Sequence, residues 1–217
     1  MNFPNAQAGI KKIFTAEILK LIATVCSAFA VAFGYLMTKT VDVEGNVATE
    51  GGLLASFGGF AILGLAALVL MIIAFIFNLI GVTKASKDEP AFKIVLYLIL
   101  AGIAVSIISG FIPNETVKSI FQVISDVLGL AVTIFIIQGI RNLAVKVGNT
   151  AVDNKGMSIY KIIIAIYVLI IIARIVSLIA ATAAAVVAGV FAIVSAILYI
   201  VVYIIYLSFL KQAKDMF

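Results

Sequence analysis

Two charged residues lie deep within apolar stretches of the chain. Asp126 stands in FQVISDVLGLAV, and Arg174 stands in IYVLIIIARIVSLIA. A charge at the centre of a membrane helix costs about 2.5 to 3.5 kcal/mol on insertion scales, so such residues usually face the bundle interior and find a partner. A planar guanidinium, which stays charged, can hold a carboxylate through two hydrogen bonds. The sequence therefore predicts an ion pair between Asp126 and Arg174.

The two charges are predicted to lie at matching depth. Arg174 is 13 residues beyond Lys161, and Asp126 is 15 residues before Arg141. At a rise of about 1.5 Å per residue, both lie roughly 20 Å from the basic ends of their helices. Two neighbouring antiparallel helices would bring them level.

Polar side chains accompany both charges. Gln122 is one helical turn before Asp126, and Ser177 follows Arg174 by about one turn. Ser106 and Tyr199, on other apolar stretches, fall at nearly the same depth, and either hydroxyl could donate a hydrogen bond to the carboxylate. The candidate intramembrane site therefore comprises Asp126, Arg174, Tyr199, Gln122, Ser106 and Ser177.

The ion pair has a structural and a functional interpretation. It could fix the rotational register of two helices in lipid, where hydrophobicity cannot do so. Alternatively, it could form a gate or a site for an ion, a proton or a small polar solute. The structural interpretation is favoured, because a permanently charged arginine partner works against proton carriage by the aspartate.

The elements that position these residues are predicted from apolar length. The chain of 217 residues is 65% hydrophobic, whereas soluble domains are about half apolar. We expect an all-α, polytopic transmembrane bundle, with about 20 residues per span, a single transmembrane domain over residues 1–217, and a short interfacial helix at about 8–17. The six predicted spans cover about 18–38, 53–81, 92–112, 117–140, 160–181 and 186–210.

Two features of this organisation have alternatives. The segment AATAAAVVAG between the last two spans carries no charge and no proline, so five spans with one long final helix are the alternative to six. Three outward-going spans begin with Lys-Ile. One explanation is that the chain consists of three related helix hairpins. Convergence is favoured, because flanking lysines and interchangeable aliphatic residues arise independently in membrane helices.

The basic residues predict the orientation. Only Lys39 and Lys118 flank one side of the predicted spans. Basic residues collect on the cytoplasmic side of membrane proteins, so we expect a multi-pass plasma-membrane protein of a bacterium with both termini in the cytoplasm. The opposite, basic side carries Lys11, Lys12, Lys20, Lys84, Lys87, Lys93, Arg141, Lys146, Lys155, Lys161, Lys211 and Lys214.

Small residues recur at every fourth position in two spans, a spacing that permits close approach of helices. We expect most of these residues to pack within the monomer and a minority to contact another chain. The two rows are Gly102, Ser106 and Gly110, and Ala184, Ala188, Ala192 and Ala196.

Absent residue types exclude several classes of site. The chain has no histidine and one cysteine, which excludes histidine-dependent zinc and hydrolase centres and an intramolecular disulfide. It has no phosphate-binding glycine loop and no basic stripe typical of nucleic-acid binding. We therefore expect no catalytic residues, no metal, no cofactor and no nucleic-acid partner.

These observations favour a non-enzymatic integral membrane protein. It would be an accessory or interaction subunit, or would bind a lipophilic molecule, since the spans offer little polar surface for a hydrophilic path. The expected partners are membrane lipids, with a membrane protein or a second copy of the chain as further candidates. The alternative is a small transporter or channel with its site at Asp126 and Arg174.

Overall fold

The part of the chain that the structure describes forms six α-helices. The computed structural model describes residues 3–40, 50–179 and 185–217, and these contain no β-strand. The predicted all-helical fold class is confirmed. The helices are α1 (Pro4–Thr40), α2 (Glu50–Ala85), α3 (Ala91–Gly110), α4 (Glu115–Lys146), α5 (Thr150–Ile179) and α6 (Ala185–Lys214).

Four helical segments among the described residues are long and apolar enough to cross a membrane. The protein is therefore consistent with a helical membrane bundle, in which every backbone polar group is satisfied inside its own helix. Residues 180–184, between α5 and α6, lie outside the described residues, so the number of crossings made there stays a prediction. The four segments are Pro4–Ala32, Gly58–Ala85, Ala91–Gly110 and Val117–Lys146.

Every helix starts before its predicted span, and α1, α2, α4 and α6 also end after it. In particular, residues 8–17 are the first part of α1 and not a separate helix before it. The physical reason is the lack of any helix-breaking residue, because residues 10–33 contain neither glycine nor proline. Lys20 Nζ also lies 2.6 Å from Glu17 Oε1 across the predicted junction, a spacing that supports a continuous helix.

The structure divides into two compact units. The smaller unit is Lys12–Ile80, which holds most of α1 and α2. The larger unit joins Met1–Lys11 to Gly81–Phe217. Within the larger unit α3 packs against α4, α4 against α5, and α5 against α6, so helices that follow one another along the chain are neighbours.

The best-packed part of the larger unit is what we call its lysine-rich end. It consists of the start of α1, the α2–α3 turn at 86–90, the α4–α5 turn at 147–149 and the end of α6. Farther along the spans many large apolar side chains are exposed, as expected of lipid-facing surface. Fully buried side chains at or near the lysine-rich end include Ile10, Val82, Phe92, Ile137, Leu143, Phe209 and Leu210.

Two glycines allow close contacts at this end. A Cβ added to Gly9 would lie 2.5 Å from the carbonyl oxygen of Gly81, and one added to Gly139 would lie 2.7 Å from Phe92 Cε2. Real Cβ atoms do not approach other atoms so closely, so a larger residue would push the neighbouring helix away. The start of α1 and the buried ring of Phe92 therefore depend on these glycines.

The α4–α5 turn is built from Gly148 and Asn149. Gly148 has φ 74°, a left-handed conformation that glycine adopts without strain. The Asn149 N–H donates to the carbonyl of Ala144 at 2.8 Å and the Gly148 N–H to that of Val145 at 3.1 Å, the pattern of a Schellman helix end. The Asn149 side-chain oxygen then accepts from the Val152 N–H at 3.1 Å and caps α5. The turn thus reverses the chain within three residues.

Candidate functional site

The structure places the predicted intramembrane aspartate on α4, within the candidate span Val117–Lys146. Asp126 is half-buried and its Oδ2 atom is buried. Gln122 Nε2 donates to Asp126 Oδ1 at 3.4 Å, so these two predicted site residues contact each other. Thr133 Oγ1 donates to the carbonyl of Gly129 in the same helix at 3.0 Å, which satisfies that hydroxyl locally.

The predicted partner of Asp126 lies on the neighbouring helix. Arg174 belongs to α5, and α5 packs against α4, as the ion-pair hypothesis requires. The side chains of Arg174, Ser177 and Tyr199 lie outside the described residues. The pairing of Asp126 with Arg174 therefore stays a prediction.

Ser106 and the small-residue rows stay predictions as well. Ser106 is exposed on α3, and a Cβ added at Gly102 or Gly110 meets nothing within 4 Å in the described part of the chain. In the second row, Ala184 lies outside the described residues. The side chains of Ala188, Ala192 and Ala196 lie outside them as well.

A buried carboxylate that the sequence did not single out organises the lysine-rich end. Glu89, in the α2–α3 turn, is only 4% exposed. It accepts a hydrogen bond from Asn142 Nδ2 at 2.8 Å and one from Lys146 Nζ at 2.6 Å, both on α4. Lys146 Nζ also lies 5.9 Å from the centre of the Phe3 ring, within the range of a cation–π contact. Glu89 and Lys146 therefore tie the turn and the N-terminal segment to α4.

Asp88, the residue before Glu89, holds the start of α1. Its Oδ1 accepts from Asn5 Nδ2 at 3.0 Å, and its Oδ2 accepts from the Ala6 backbone N–H at 2.7 Å. The first N–H groups of a helix have no partner within the helix, and they attract negative charge. Asp88 thus caps α1 from a distant part of the chain.

A further ion pair joins α4 to α5. Arg141 Nε lies 2.9 Å from Asp153 Oδ1, and both side chains are mostly buried. The aliphatic part of Arg141 lies over Gly156, where an added Cβ would come within 2.5 Å of Arg141 Cγ. Asp88, Glu89 and Asp153 all lie in basic flanks of the spans, which is the only sequence signal that marks them, and no pattern of residues predicts their partners.

The smaller unit contains a groove of about 610 Å³ between α1 and α2. Buried alanines form its floor and exposed aliphatic residues its edges. Thr24 is one of two hydroxyl residues in the lining, and its Oγ1 already donates to the carbonyl of Lys20 at 2.9 Å. The lining is Ala23, Thr24, Ser27, Ala28, Val31, Gly64, Ala67, Leu68 and Met71, none of them charged.

One unsatisfied polar atom lies on α2 close to this groove in sequence. Asn78 is 8% exposed, and its Oδ1 has no hydrogen-bond partner among the described residues. It follows Met71, a lining residue, by seven positions, and that spacing places both residues on the same face of a helix. A buried acceptor without a donor costs about 1 to 3 kcal/mol, so this atom is a candidate ligand contact.

Comparison of this chain with protein-family models, with curated proteins and with solved structures finds no match. The functional argument therefore rests on the residues and their geometry.

Proposed function

We propose that this protein is a non-enzymatic membrane protein that holds a lipophilic molecule in the groove between α1 and α2. The observation that carries the proposal is the groove itself, about 610 Å³ in volume and lined without a charged residue. Its lining belongs to two candidate membrane spans, Pro4–Ala32 and Gly58–Ala85. A ligand would reach it from the lipid.

The lining selects the chemical class of the ligand. Sites for small molecules have volumes of about 300 to 1,000 Å³, so the groove can hold a hydrocarbon chain or a compact apolar ring system. Ala23 and Ala67 are buried and present only methyl groups, while the Thr24 hydroxyl is engaged by its own helix. Ser27 is the only other hydroxyl in the lining, so a hydrophilic solute would lose its water here for few hydrogen bonds, at a cost of roughly 2 to 7 kcal/mol per unpaired polar group.

Asn78 supplies a buried acceptor that needs a donor. It is seven residues beyond Met71, about 10 Å along the helix axis. A ligand with a single donor, such as a hydroxyl or an amide N–H, would satisfy the Asn78 Oδ1 atom. The proposed ligand is therefore an amphiphile with a long apolar part and one hydrogen-bond donor.

The test is native mass spectrometry of the full chain, extracted from membranes in mild detergent. Ala67→Leu fills the floor of the groove, and Ala61→Leu makes the same change at an exposed position of α2 outside it. We expect the parent and Ala61→Leu to carry a bound lipophile that Ala67→Leu lacks, with circular dichroism showing all three folded. A parent with no bound mass, or an Ala67→Leu protein as occupied as the parent, would refute the proposal. A copurifying polypeptide would favour an accessory subunit instead.

Transport is the second candidate. The observation that favours it is the hydrogen bond between Gln122 and Asp126 inside a candidate span, because polar groups at membrane depth commonly line pathways. Purified protein in liposomes would then conduct ions or exchange a small solute, and Asp126→Asn would abolish the flux. Liposomes that stay as tight as protein-free controls would exclude this function for the solutes tested.

A further inference from the structure

We propose that the α2–α3 turn binds the headgroup of an anionic phospholipid through Lys84, Lys87 and Lys93. This site lies in the larger unit and is independent of the apolar groove. It would hold an annular lipid of defined charge, whereas the groove would hold an apolar ligand. The turn and its flanks, residues 83–93, read TKASKDEPAFK, with Lys84 at the end of α2 and Lys93 at the start of α3.

The turn is nearly neutral in sequence but basic on its surface. Lys84, Lys87 and Lys93 are all exposed. The two acids between them are directed elsewhere, since Asp88 receives the start of α1 and Glu89 receives Asn142 and Lys146 of α4. Because both carboxylates are committed to these contacts, neither forms an ion pair with the three lysines.

The side-chain ammonium groups of the three lysines have no hydrogen-bond or ion-pair partner in the described part of the chain. They are held on a compact scaffold, in which the Lys87 N–H donates to the carbonyl of Lys84 at 3.1 Å and the Lys93 N–H donates to that of Pro90 at 2.9 Å. Lys146, by contrast, is bound to Glu89, and Lys155 Nζ donates to Ser208 Oγ at 3.0 Å. The turn therefore gathers unpaired cationic charge in one short segment.

The surface below the turn fits acyl chains. Lys93, Tyr97 and Leu100 follow one another at helical spacing on a single face of α3. Tyr97 is 71% exposed and Leu100 is 58% exposed, and tyrosine is favoured at the membrane interface, where its ring is apolar and its hydroxyl polar. A phospholipid whose phosphate meets the lysines could lay its chains along this face. A free phosphate would gain only the first of these contacts.

The size of the effect follows from surface electrostatics. An exposed ion pair between a lysine and the lipid phosphate strengthens binding by at most about fivefold, so removing two lysines weakens binding by up to about thirtyfold at low ionic strength. High salt should reduce the difference, since exposed charges are screened.

The experiment titrates the full chain in neutral detergent with phosphatidylglycerol or phosphatidylcholine and counts bound lipids by native mass spectrometry. The double variant Lys87→Gln with Lys93→Gln removes two charges from the turn. The control, Lys161→Gln with Lys211→Gln, removes two exposed charges from separate helices, α5 and α6. Circular dichroism checks that each variant is folded, and inorganic phosphate is added as a competitor in a further arm.

We expect the turn variant to bind phosphatidylglycerol more weakly than the parent by up to about thirtyfold, with the control close to the parent and phosphatidylcholine bound weakly by all. Equal losses in both variants would show a general charge effect and overturn the site. Equal binding of the two lipids by the parent, or full displacement by phosphate at the concentration of the lipid, would also overturn it. These outcomes do not depend on whether a ligand occupies the groove, so each proposal can be refuted without the other.

Discussion

Removing the Glu89 carboxylate should loosen the lysine-rich end of the larger unit. In Glu89→Ala, Asn142 and Lys146 both lose their acceptor, and the α2–α3 turn loses its polar contacts with α4. Glu89→Gln keeps an acceptor for Asn142 but removes the charge that faces Lys146. The first substitution should therefore cost more than the second.

The two contacts contribute unequally. A hydrogen bond to a charged group contributes about 1.5 to 3 kcal/mol, and the bond from Asn142 belongs to this class because its acceptor is the carboxylate that pairs with Lys146. The Lys146 side chain is 41% exposed, so its pairing contributes only about 0.2 to 1 kcal/mol, as exposed ion pairs do. Since the alanine variant no longer buries a charge, we expect a net loss of about 2 to 3 kcal/mol for Glu89→Ala and about half of that for Glu89→Gln.

Thermal unfolding in detergent, followed by far-UV circular dichroism, measures this loss. For a chain of this size it corresponds to a melting temperature lower by about 5 to 10 °C. Asp215→Ala, which removes an exposed acid from the same end of the unit, is the control and should change stability by less than about 0.5 kcal/mol. If Glu89→Ala melts together with Asp215→Ala, Glu89 does not hold the turn on α4 and the argument from burial is wrong.

Two further predictions concern packing and charge within the spans. Gly139→Ala should destabilise the protein by about 1 to 3 kcal/mol, because its Cβ meets the buried ring of Phe92. Gly102→Ala should leave the melting temperature unchanged or raise it, since nothing lies within 4 Å of an added Cβ. Equal changes in the melting temperature of the two variants would contradict this prediction. Asp126→Asn and Arg174→Gln should each cost about 3 to 5 kcal/mol if the predicted pair is dry. A double-mutant cycle should then show strong coupling, and single variants that melt like the parent would rule the pair out.

The helices could be predicted from sequence because their signal is local. A long apolar run in lipid must satisfy its backbone hydrogen bonds internally, so it has to be helical. The ends were less predictable, since membrane thickness limits a span but not a helix. For example, α1 starts at Pro4 and α4 ends at Lys146, well beyond the apolar stretches that identify them.

The contacts of the lysine-rich end could not be predicted, because they depend on residues far apart in the chain. Asp88 and Glu89 are adjacent acids in a basic flank, and nothing local distinguishes them. One caps a helix that begins more than 80 residues earlier, and the other binds side chains more than 50 residues later. Their partners are decided by how the helices pack, which a pattern of residue types does not specify.

The groove illustrates the same limit. Its small residues Ala23, Gly64 and Ala67 are each compatible with close helix packing. Only the rotation of α1 and α2 about their own axes makes them the floor of an open cavity. The sequence favoured a lipophilic partner through the scarcity of polar residues in the spans, and the groove is where we propose that such a partner binds.

Site-specific photo-crosslinking in native membranes tests the central proposal, ligand binding in the groove, most directly. Val31 at the edge of the groove is replaced by p-benzoylphenylalanine in one variant, and Ile62, an exposed residue of α2 outside the groove, in the other. Mass spectrometry of the irradiated proteins then identifies what each position contacts. Position 62 reports the composition of the bulk lipid. We predict that position 31 captures one lipophilic compound at a frequency far above its abundance in that lipid. The same mixture of lipids at both positions would contradict the proposal.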